Sequence, residues 1–496
     1  MKSLVFFALV IAGASTLNVD AAKKHGRVKI NTGLIKPQKY SVALVALGCP
    51  KNTVDAEVML GDLQRSGLRV VREPRDADIV VVNTCAFVED AKSESIAAVI
   101  EAGQLKTSRD VPARGLFVTG CLAQRYAEEL AGELPEVDAV VGFEHYNELP
   151  NQVLRVLADT EAAEAMGDED DDGPEQAVLV GSASVPFRPE EDRVSITPPH
   201  LAYIRVAEGC DHACSFCAIP GFRGSFRSKP FDVVVAEAER LIANGARELN
   251  LIAEDTNQYG SDWGTADSRR LVDLLHVLAA NPQLKWIRLL YCYPSYFSEE
   301  LIDAIASIDK VVKYIDIPLQ HLSPTVLQRM RRPGGLATLA LLRKLRERIP
   351  DLALRTTFIC GFPGETDEEH DELVRHARAM GFERGGAFAY SQEDGTPAAE
   401  MEEQVDEEAK EARRDELIAL FQDRAESWAQ AQVGKRMQVI IDKMDGLDAV
   451  GRTYADAPDI DGSVRLPECV LAPGTVLTVT IVAADVMELV AQPVDD

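Results

Sequence analysis

Residues 201–217 read LAYIRVAEGCDHACSFC. Leu201–Val206 is an apolar, aromatic and β-branched run, the composition of a buried strand. It leads through Glu208-Gly209 into Cys210, Cys214 and Cys217. A loop delivered at the carboxyl end of such a strand lies where α/β folds keep their ligands. The same rhythm repeats downstream. Further strands are predicted at Glu248–Ile252, Trp286–Tyr291, Tyr314–Ile317, Arg355–Ile359 and Ala387–Tyr390. Most are followed by a helical stretch, such as Val233–Asn244 and Ser268–Ala280. Six units predict a partial (β/α) barrel. Its rim carries EGC, AED, YCYPS, PLQH, CGFPGE and SQEDGT, rich in Gly, Pro, Cys and polar residues.

Upstream, Ser41–Leu47, Asp78–Val82 and Leu116–Thr119 are three more apolar runs. Helical stretches follow them at Val54–Ser66, Asp90–Gln104 and Gln124–Ala131. Strands alternating with helices predict a parallel α/β sheet. Each run ends on a cysteine: Gly48-Cys49, Asn83-Thr84-Cys85 and Gly120-Cys121. One cysteine at a strand end means little, because Cys is often simply buried. Three at equivalent ends of one sheet point to a shared ligand set. Downstream, residues 402–432 form a charged helix, and after Val433 short alternating strands predict a small all-β, barrel-like module. The expected organisation is an N-terminal extension over 1–38, the three-cysteine α/β domain over 39–156, and an acidic linker over 157–195. The barrel follows over 196–431 and the all-β module over 432–496.

The chain has 496 residues and a net charge of −28, which disfavours tight non-specific binding to nucleic acid. Simple solubility explains the same acidity. No apolar run in the body reaches the roughly 18–20 residues of a membrane span. Nine cysteines in so long a chain argue against a secreted disulfide framework and for thiolates kept for metal. Three thiolates leave one iron of a four-iron cluster open to a ligand. A structural zinc ion wants a fourth ligand, and His212, the local candidate, is cramped between the first two cysteines.

Cys210-x3-Cys214-x2-Cys217, with Phe216 before the last cysteine, resembles the cluster loop of radical S-adenosylmethionine enzymes. GCPKN (48–52), NTC (83–85) and TGC (119–121) resemble the auxiliary-cluster domain of the methylthiotransferases within that superfamily. The all-β module resembles their TRAM domain. EGCDHACSFCAIPGFRG, DIPLQH (316–321), GFPGET (361–366) and AYSQEDGT (389–396) resemble the RimO type, which methylthiolates an aspartate of a small-subunit ribosomal protein (number twelve). The resemblance implies a transferase with S-adenosyl-L-methionine and two 4Fe-4S clusters. One cluster would be held by Cys210, Cys214 and Cys217 and the other by Cys49, Cys85 and Cys121. The first would serve radical formation from the cofactor, the second would carry the sulfur. Phe216, Glu254, Gln320, Gly361 and Gly364 are its candidate cofactor contacts; turn chemistry and core packing are the alternative for each. Cys292 and Cys360 read as buried packing residues, Cys469 as incidental and His321 as a structural histidine.

The resemblance also implies a ribosomal protein partner, an electron donor such as flavodoxin or ferredoxin, a cytoplasmic setting and a monomer. A tRNA adenosine methylthiotransferase of the same family is the alternative; those relatives carry Gln-Met where Pro50-Lys51 stands here. Five basic and eleven acidic residues in 432–496, a net of −6, fit a basic protein better than tRNA. Lys2 followed by SLVFFALVIAGASTL resembles a signal-peptide core, yet no A-x-A site follows promptly. An exported iron–sulfur enzyme makes poor physical sense, so these residues read as an extension or a mis-called start.

Overall fold

The computed structural model describes residues 36–108, 110–166, 175–182 and 193–494. The expectation for residues 1–38 therefore lies almost wholly outside the described residues.

The N-terminal sheet is all parallel. Its strands are β1 (Ser41–Ala46), β2 (Arg69–Val70), β3 (Ile79–Thr84), β4 (Gly115–Thr119), β5 (Ala139–Val141) and β6 (Ala177–Leu179), in the order β2-β1-β3-β4-β5-β6. Helices α1 (Pro50–Arg65), α2 (Glu89–Thr107), α3 (Gly120–Arg125), α4 (Ala127–Glu133) and α5 (Leu149–Met166) connect them. β3 is buried along its whole length, which its IVVV run allows.

Three features differ from the sequence reading. α1 starts at Pro50 rather than Val54, because proline suits the first helical position and Cys49 serves as the N-cap. The helix expected over Gln124–Ala131 is broken at Tyr126, whose ψ of 40° leaves the helical region. Within the segment read as linker, α5 runs on to Met166 and β6 adds a sixth strand at the sheet edge. Short apolar stretches of three residues are too brief to signal a strand without a neighbour to pair with.

The central sheet is also all parallel. Its strands are β7 (Leu201–Arg205), β10 (Glu248–Ile252), β11 (Trp286–Leu289), β12 (Val311–Asp316), β13 (Ala353–Cys360) and β14 (Arg384–Ala389), running in that order from one edge to the other. A two-residue antiparallel ribbon, β8 (Ala207–Glu208) with β9 (Arg227–Ser228), pinches the base of the cysteine loop. Helices α6 (Ile219–Arg223), α7 (Phe231–Ala243), α8 (Leu271–Ala279), α9 (Glu299–Ser307), α10 (Pro324–Arg329), α11 (Leu336–Arg348), α12 (Asp367–Met380) and α13 (Glu407–Gln430) complete the domain. This is the partial (β/α)6 barrel that the sequence predicts.

Successive residues of each strand face opposite sides. Ile204, Leu249, Leu251, Ile287, Leu289, Ile315, Leu354 and Phe358 join the core formed with the outer helices. Tyr203, Ile252, Trp286, Leu290 and Tyr314 face inward and pack with Val54 and Val58 of α1 and with Ile440, Ala455 and Ala457. The N-terminal domain thus inserts a helix into the barrel's concave face.

Strands β15 (Arg436–Asp445), β16 (Asp448–Thr453), β17 (Ser463–Leu466), β18 (Val476–Ala484) and β19 (Glu488–Pro493) close a barrel in the order β15-β16-β17-β19-β18. It docks on the concave face through charged groups. Arg452 spans Glu248 and Asp442, both at 2.7 Å. Arg384 holds Asp456 at 2.6 Å, and Arg355 lies 3.5 Å from Asp461. Among the described residues, no helix is long and apolar enough to cross a membrane.

The docking changes the electrostatic argument. Asp442, Asp456 and Asp461 are taken up by the interface, and Arg465 pairs with Asp445, Asp448 and Glu488. Among the described residues, the exposed charges outside these pairs are Lys435, Arg436 and Lys443 against Asp459, Glu468 and Asp485. Part of the module's acidity is thus taken up at the interface, while Arg465 alone faces three carboxylates and the outer face stays mildly acidic.

Candidate cluster sites

The loops after β1, β3 and β4 converge. Cys49 caps α1, Cys85 follows β3 directly, and Cys121 is the second residue of α3. Gly48 has φ +86°, and a Cβ there would stand 2.8 Å from the Cys85 sulfur. Gly120 has φ +95°, and its Cβ would strike the Thr84 carbonyl oxygen at 2.3 Å. Only glycine permits both approaches. Asn52 ties the loops together: its Nδ2 donates to the carbonyls of Leu47 (3.0 Å) and Thr84 (2.9 Å). Ser95 Oγ accepts from Cys85 N–H at 2.9 Å and donates to Cys85 C=O at 3.0 Å.

The loop after β7 and β8 is fixed as firmly. Gly209 has φ +72°, and a Cβ would fall 2.2 Å from the Ser225 carbonyl oxygen. Cys210 N–H donates to Gly224 C=O at 3.0 Å, and Ser215 N–H to Met330 C=O at 3.0 Å. His212 lies 2.8 Å from Asp255 through Nε2 and stacks on Tyr293 at 3.6 Å. These contacts orient the loop. Arg332 Nη1 is 3.6 Å from the Cys214 sulfur.

Burial pushes the thiols up: Cys121 to about 12, Cys210 to about 12 and Cys217 to about 11, with Cys85 also raised. Metal binding at these sites must therefore expel protons. Among the described residues, no three His, Cys, Asp or Glu side chains gather around a single-ion site. A cubane cluster binds each thiolate through a different iron, so its ligands stand apart. Two sets of three soft donors, buried or half-buried, fit such clusters better than zinc.

One residue joins the two regions. The Arg223 side chain, 3% exposed, lies on the carboxyl side of the Cys210–Cys217 loop. Its Nη2 donates to Asn52 Oδ1 at 3.1 Å, lies 3.2 Å from Asp55 and is 3.6 Å from the Cys121 sulfur. Its Nη1 is 3.3 Å from Glu208, and its Nε 3.8 Å from Glu254. Arg205 holds Asp55 and Glu208 at 2.5 Å each. Lys51 lies over the Tyr291 ring at 3.9 Å, reaches the Ala253 carbonyl at 3.4 Å, and its charge acts on Glu254. Three carboxylates thus meet three cations between the cysteine sets. Asn52 and Lys51 belong to the GCPKN stretch, but the roles of Arg223, Asp55 and Glu208 carried no signal in the sequence beyond polarity next to a glycine turn.

A cavity of about 790 Å³ opens beside the loop, lined by Cys210, Cys214, Cys217 and Phe222 and by Arg125 and Tyr126 of the N-terminal domain. Of the candidate cofactor contacts, Glu254 is the most telling. Its carboxylate is buried, burial raises its pKa, and neither oxygen has a hydrogen-bond partner. Phe216 packs edge-on against Phe362 at 6.5 Å. Gln320 sits at φ +70° on the rim and bridges to Phe358. Gly361 and Gly364 turn toward other neighbours: their Cβ atoms would meet Lys410 at 2.2 Å and Glu403 at 2.9 Å. The close passage of α13 and the chain before it accounts for glycine at both places. Cys292 and Cys360 are buried in the barrel core, and Cys469 is half-buried against the terminal barrel. His321 is fully buried, with Nδ1 accepting from Ser323 N–H at 3.0 Å.

Comparison with known proteins finds three matched segments. Residues 41–142 match the Uncharacterized protein family UPF0004, residues 204–377 the Radical SAM superfamily, and residues 433–494 the TRAM domain. The ribosomal protein uS12 methylthiotransferase RimO of Anaeromyxobacter sp. (strain Fw109-5) is 44% identical over 458 residues, spanning 91% of this chain and 93% of that protein. The protein of the same name from Akkermansia muciniphila is 41% identical over 466 residues, spanning 91% and 99%. Among solved structures, the radical S-adenosylmethionine methyltransferase TsrM from Kitasatospora setae is 17% identical with a TM-score of 0.47, covering 72% of this chain and 77% of that one.

Proposed function

Because the chain belongs to the RimO family of radical S-adenosylmethionine methylthiotransferases, we propose that it transfers a methylthio group to the β-carbon of an aspartate on ribosomal protein uS12. It is a transferase that uses S-adenosylmethionine and a 4Fe-4S cluster. In this reading Cys210, Cys214 and Cys217 hold the cluster that reduces the cofactor. Cys49, Cys85 and Cys121 hold a second one, which supplies the sulfur. The observation that carries the second assignment is Arg223. One buried guanidinium contacts Cys121 on one side and the Glu208–Glu254 network beside the first loop on the other.

The chain's own residues have distinct tasks. His212, held by Asp255 and Tyr293, fixes the first loop. Glu254, whose oxygens make no hydrogen bond although Arg223 lies 3.8 Å away, is suited to accept hydrogen bonds from the ammonium of the cofactor's methionine moiety. Phe216 and Gln320 lie on the same rim, while Gly361 and Gly364 serve the packing of α13 and the chain before it. Lys51, Arg205 and Arg223 neutralise the carboxylates that would otherwise face the thiolates. Gln124, Arg125 and Tyr126 of the N-terminal domain line one side of the cavity. An external flavodoxin or ferredoxin would supply electrons to the monomeric enzyme.

The test compares uS12 and tRNA hydrolysates from a deletion strain by mass spectrometry. Loss of one SCH3-for-H increment from uS12 alone supports the reading; loss from tRNA alone overturns it. Replacing Cys49, Cys85 and Cys121 together should spare cofactor cleavage and abolish sulfur transfer. Methylthiolated product from that triple variant would refute the division of roles.

A further inference from the structure

Phe87 is 59% exposed and Phe388 is 42% exposed. They belong to different domains yet touch, with ring centroids 6.3 Å apart and planes at 82°. Phe87 lies two residues beyond Cys85. Phe388 is on β14, the open edge of the central sheet. In the β13–β14 register Arg355 pairs with Arg384, Thr357 with Gly386 and Ile359 with Phe388. Arg355 points inward to Asp316, so Gly386 and Phe388 share the concave face. A Cβ on Gly386 would meet nothing within 4 Å. Elsewhere the concave face is filled by α1 and the terminal barrel; at this flank it is open from the edge inward.

The charge around the opening is one-sided. Glu89, Asp90, Asp394 and Glu411 are exposed, and Asp90 and Glu411 both act on Arg414 of α13. Of the nearby cations, Lys92 pairs with Glu89 at 2.8 Å and Glu393 at 3.4 Å, Arg125 with Glu393 at 2.8 Å and Arg414 with Asp415 at 2.8 Å, which leaves the excess charge to Asp90, Asp394 and Glu411. An exposed aromatic pair with an acidic border is a poor surface for nucleic acid, whose phosphates it would repel. It suits a cationic protein that presents an apolar side chain. A protein that packs against ribosomal RNA carries cationic side chains to meet its phosphates.

We propose that Phe87 and Phe388, with Gly386 beneath them and Glu89 and Asp90 beside them, form the docking surface for the protein substrate. One of its loops enters the barrel at the β14 flank and passes between the aromatic pair and the open concave face. This inference rests on the protein-substrate reading above and adds the route by which the substrate arrives.

The experiment uses the full-length, cluster-loaded enzyme and purified uS12. F87S/F388S should raise KM for uS12 by about tenfold or more, the loss typical of an aromatic anchor. Cofactor cleavage without substrate should stay within about twofold of wild type. Asp90→Lys should raise KM more at low salt than at high salt. A photo-crosslinking phenylalanine analogue at position 87 should capture uS12. Unchanged KM in the double variant, or a matching fall in substrate-free cleavage, overturns the docking surface while leaving the function intact. Wild-type enzyme that modifies tRNA and leaves uS12 untouched overturns both.

Discussion

Replacing Arg223 by Gln should open the joint between the N-terminal domain and the barrel. The wild-type side chain serves Asp55, Glu208 and Glu254 at 3.2, 3.3 and 3.8 Å. Removing one partner of a buried ion pair costs about 3–5 kcal/mol, because it leaves a charge without compensation. Arg205 still holds Asp55 and Glu208 at 2.5 Å, so the loss falls mainly on Glu254 and on the Asn52 contact. About 3 kcal/mol is therefore expected, or a shift of roughly 150-fold in the docking equilibrium at 1.36 kcal/mol per decade. Hydrogen exchange reads this directly: amides of α1, buried against the concave face, should exchange faster while those of α8 and α9 stay protected. Glu254 is already raised by burial and would rise further without Arg223. The defect should therefore shrink as falling pH neutralises that carboxylate. Arg223→Lys should recover part of the docking, since it restores a charge but not the fork. Unchanged exchange in α1, or equal loosening of α1, α8 and α9, would refute a clamp localised at Arg223.

Three further outcomes follow from the same geometry. In the metal-free protein the thiols of Cys121, Cys210 and Cys217 are raised from 9.0 to about 12, 12 and 11, so burial favours their neutral forms. That contribution is intact below about pH 9 and is lost as pH rises toward 11, when only the unfolded chain ionises readily. Thermal melts should show this alkaline loss without metal and not after iron loading, and cluster incorporation should improve from neutral to mildly alkaline pH. Gly209→Ala should abolish cofactor cleavage and Gly120→Ala should spare it while lowering iron content, because each Cβ strikes a backbone oxygen, at 2.2 and 2.3 Å, beside a different cysteine set. Iron analysis and a cleavage assay separate the two. Arg452→Met should release the terminal barrel by about 3 kcal/mol or more, since it leaves Glu248 buried with Arg288 alone. Trp286, whose indole N–H donates to Gln438 at 2.9 Å, should then shift its emission to the red, and an unmoved spectrum would disprove the coupling.

Local chemistry alone was enough to read the cysteine loop and the parallel sheets. Cys210, Cys214 and Cys217 stand within eight residues of one loop, as their spacing alone shows, and the IVVV run of β3 is buried along its length. The strand-end positions of Cys49, Cys85 and Cys121 were visible for the same reason: periodicity marks where a strand stops. What lies between the sites was not legible. Arg223, Asp55, Glu208 and Lys51 are ordinary charged residues in the chain, and their burial depends on α1 lodging in the concave face of a sheet some 150 residues away. The charge of the terminal module was legible only in sum, because a residue count cannot separate charges that solvent sees from those that meet Arg355, Arg384 and Arg452. The open flank at Gly386 and Phe388 likewise exists only once β14 has become an edge. Sequence by itself determined which atoms can bind metal and which segments must be strands. Tertiary structure decided which charges meet, which face stays open and where a partner can enter, because those depend on the dielectric and the neighbours that folding supplies.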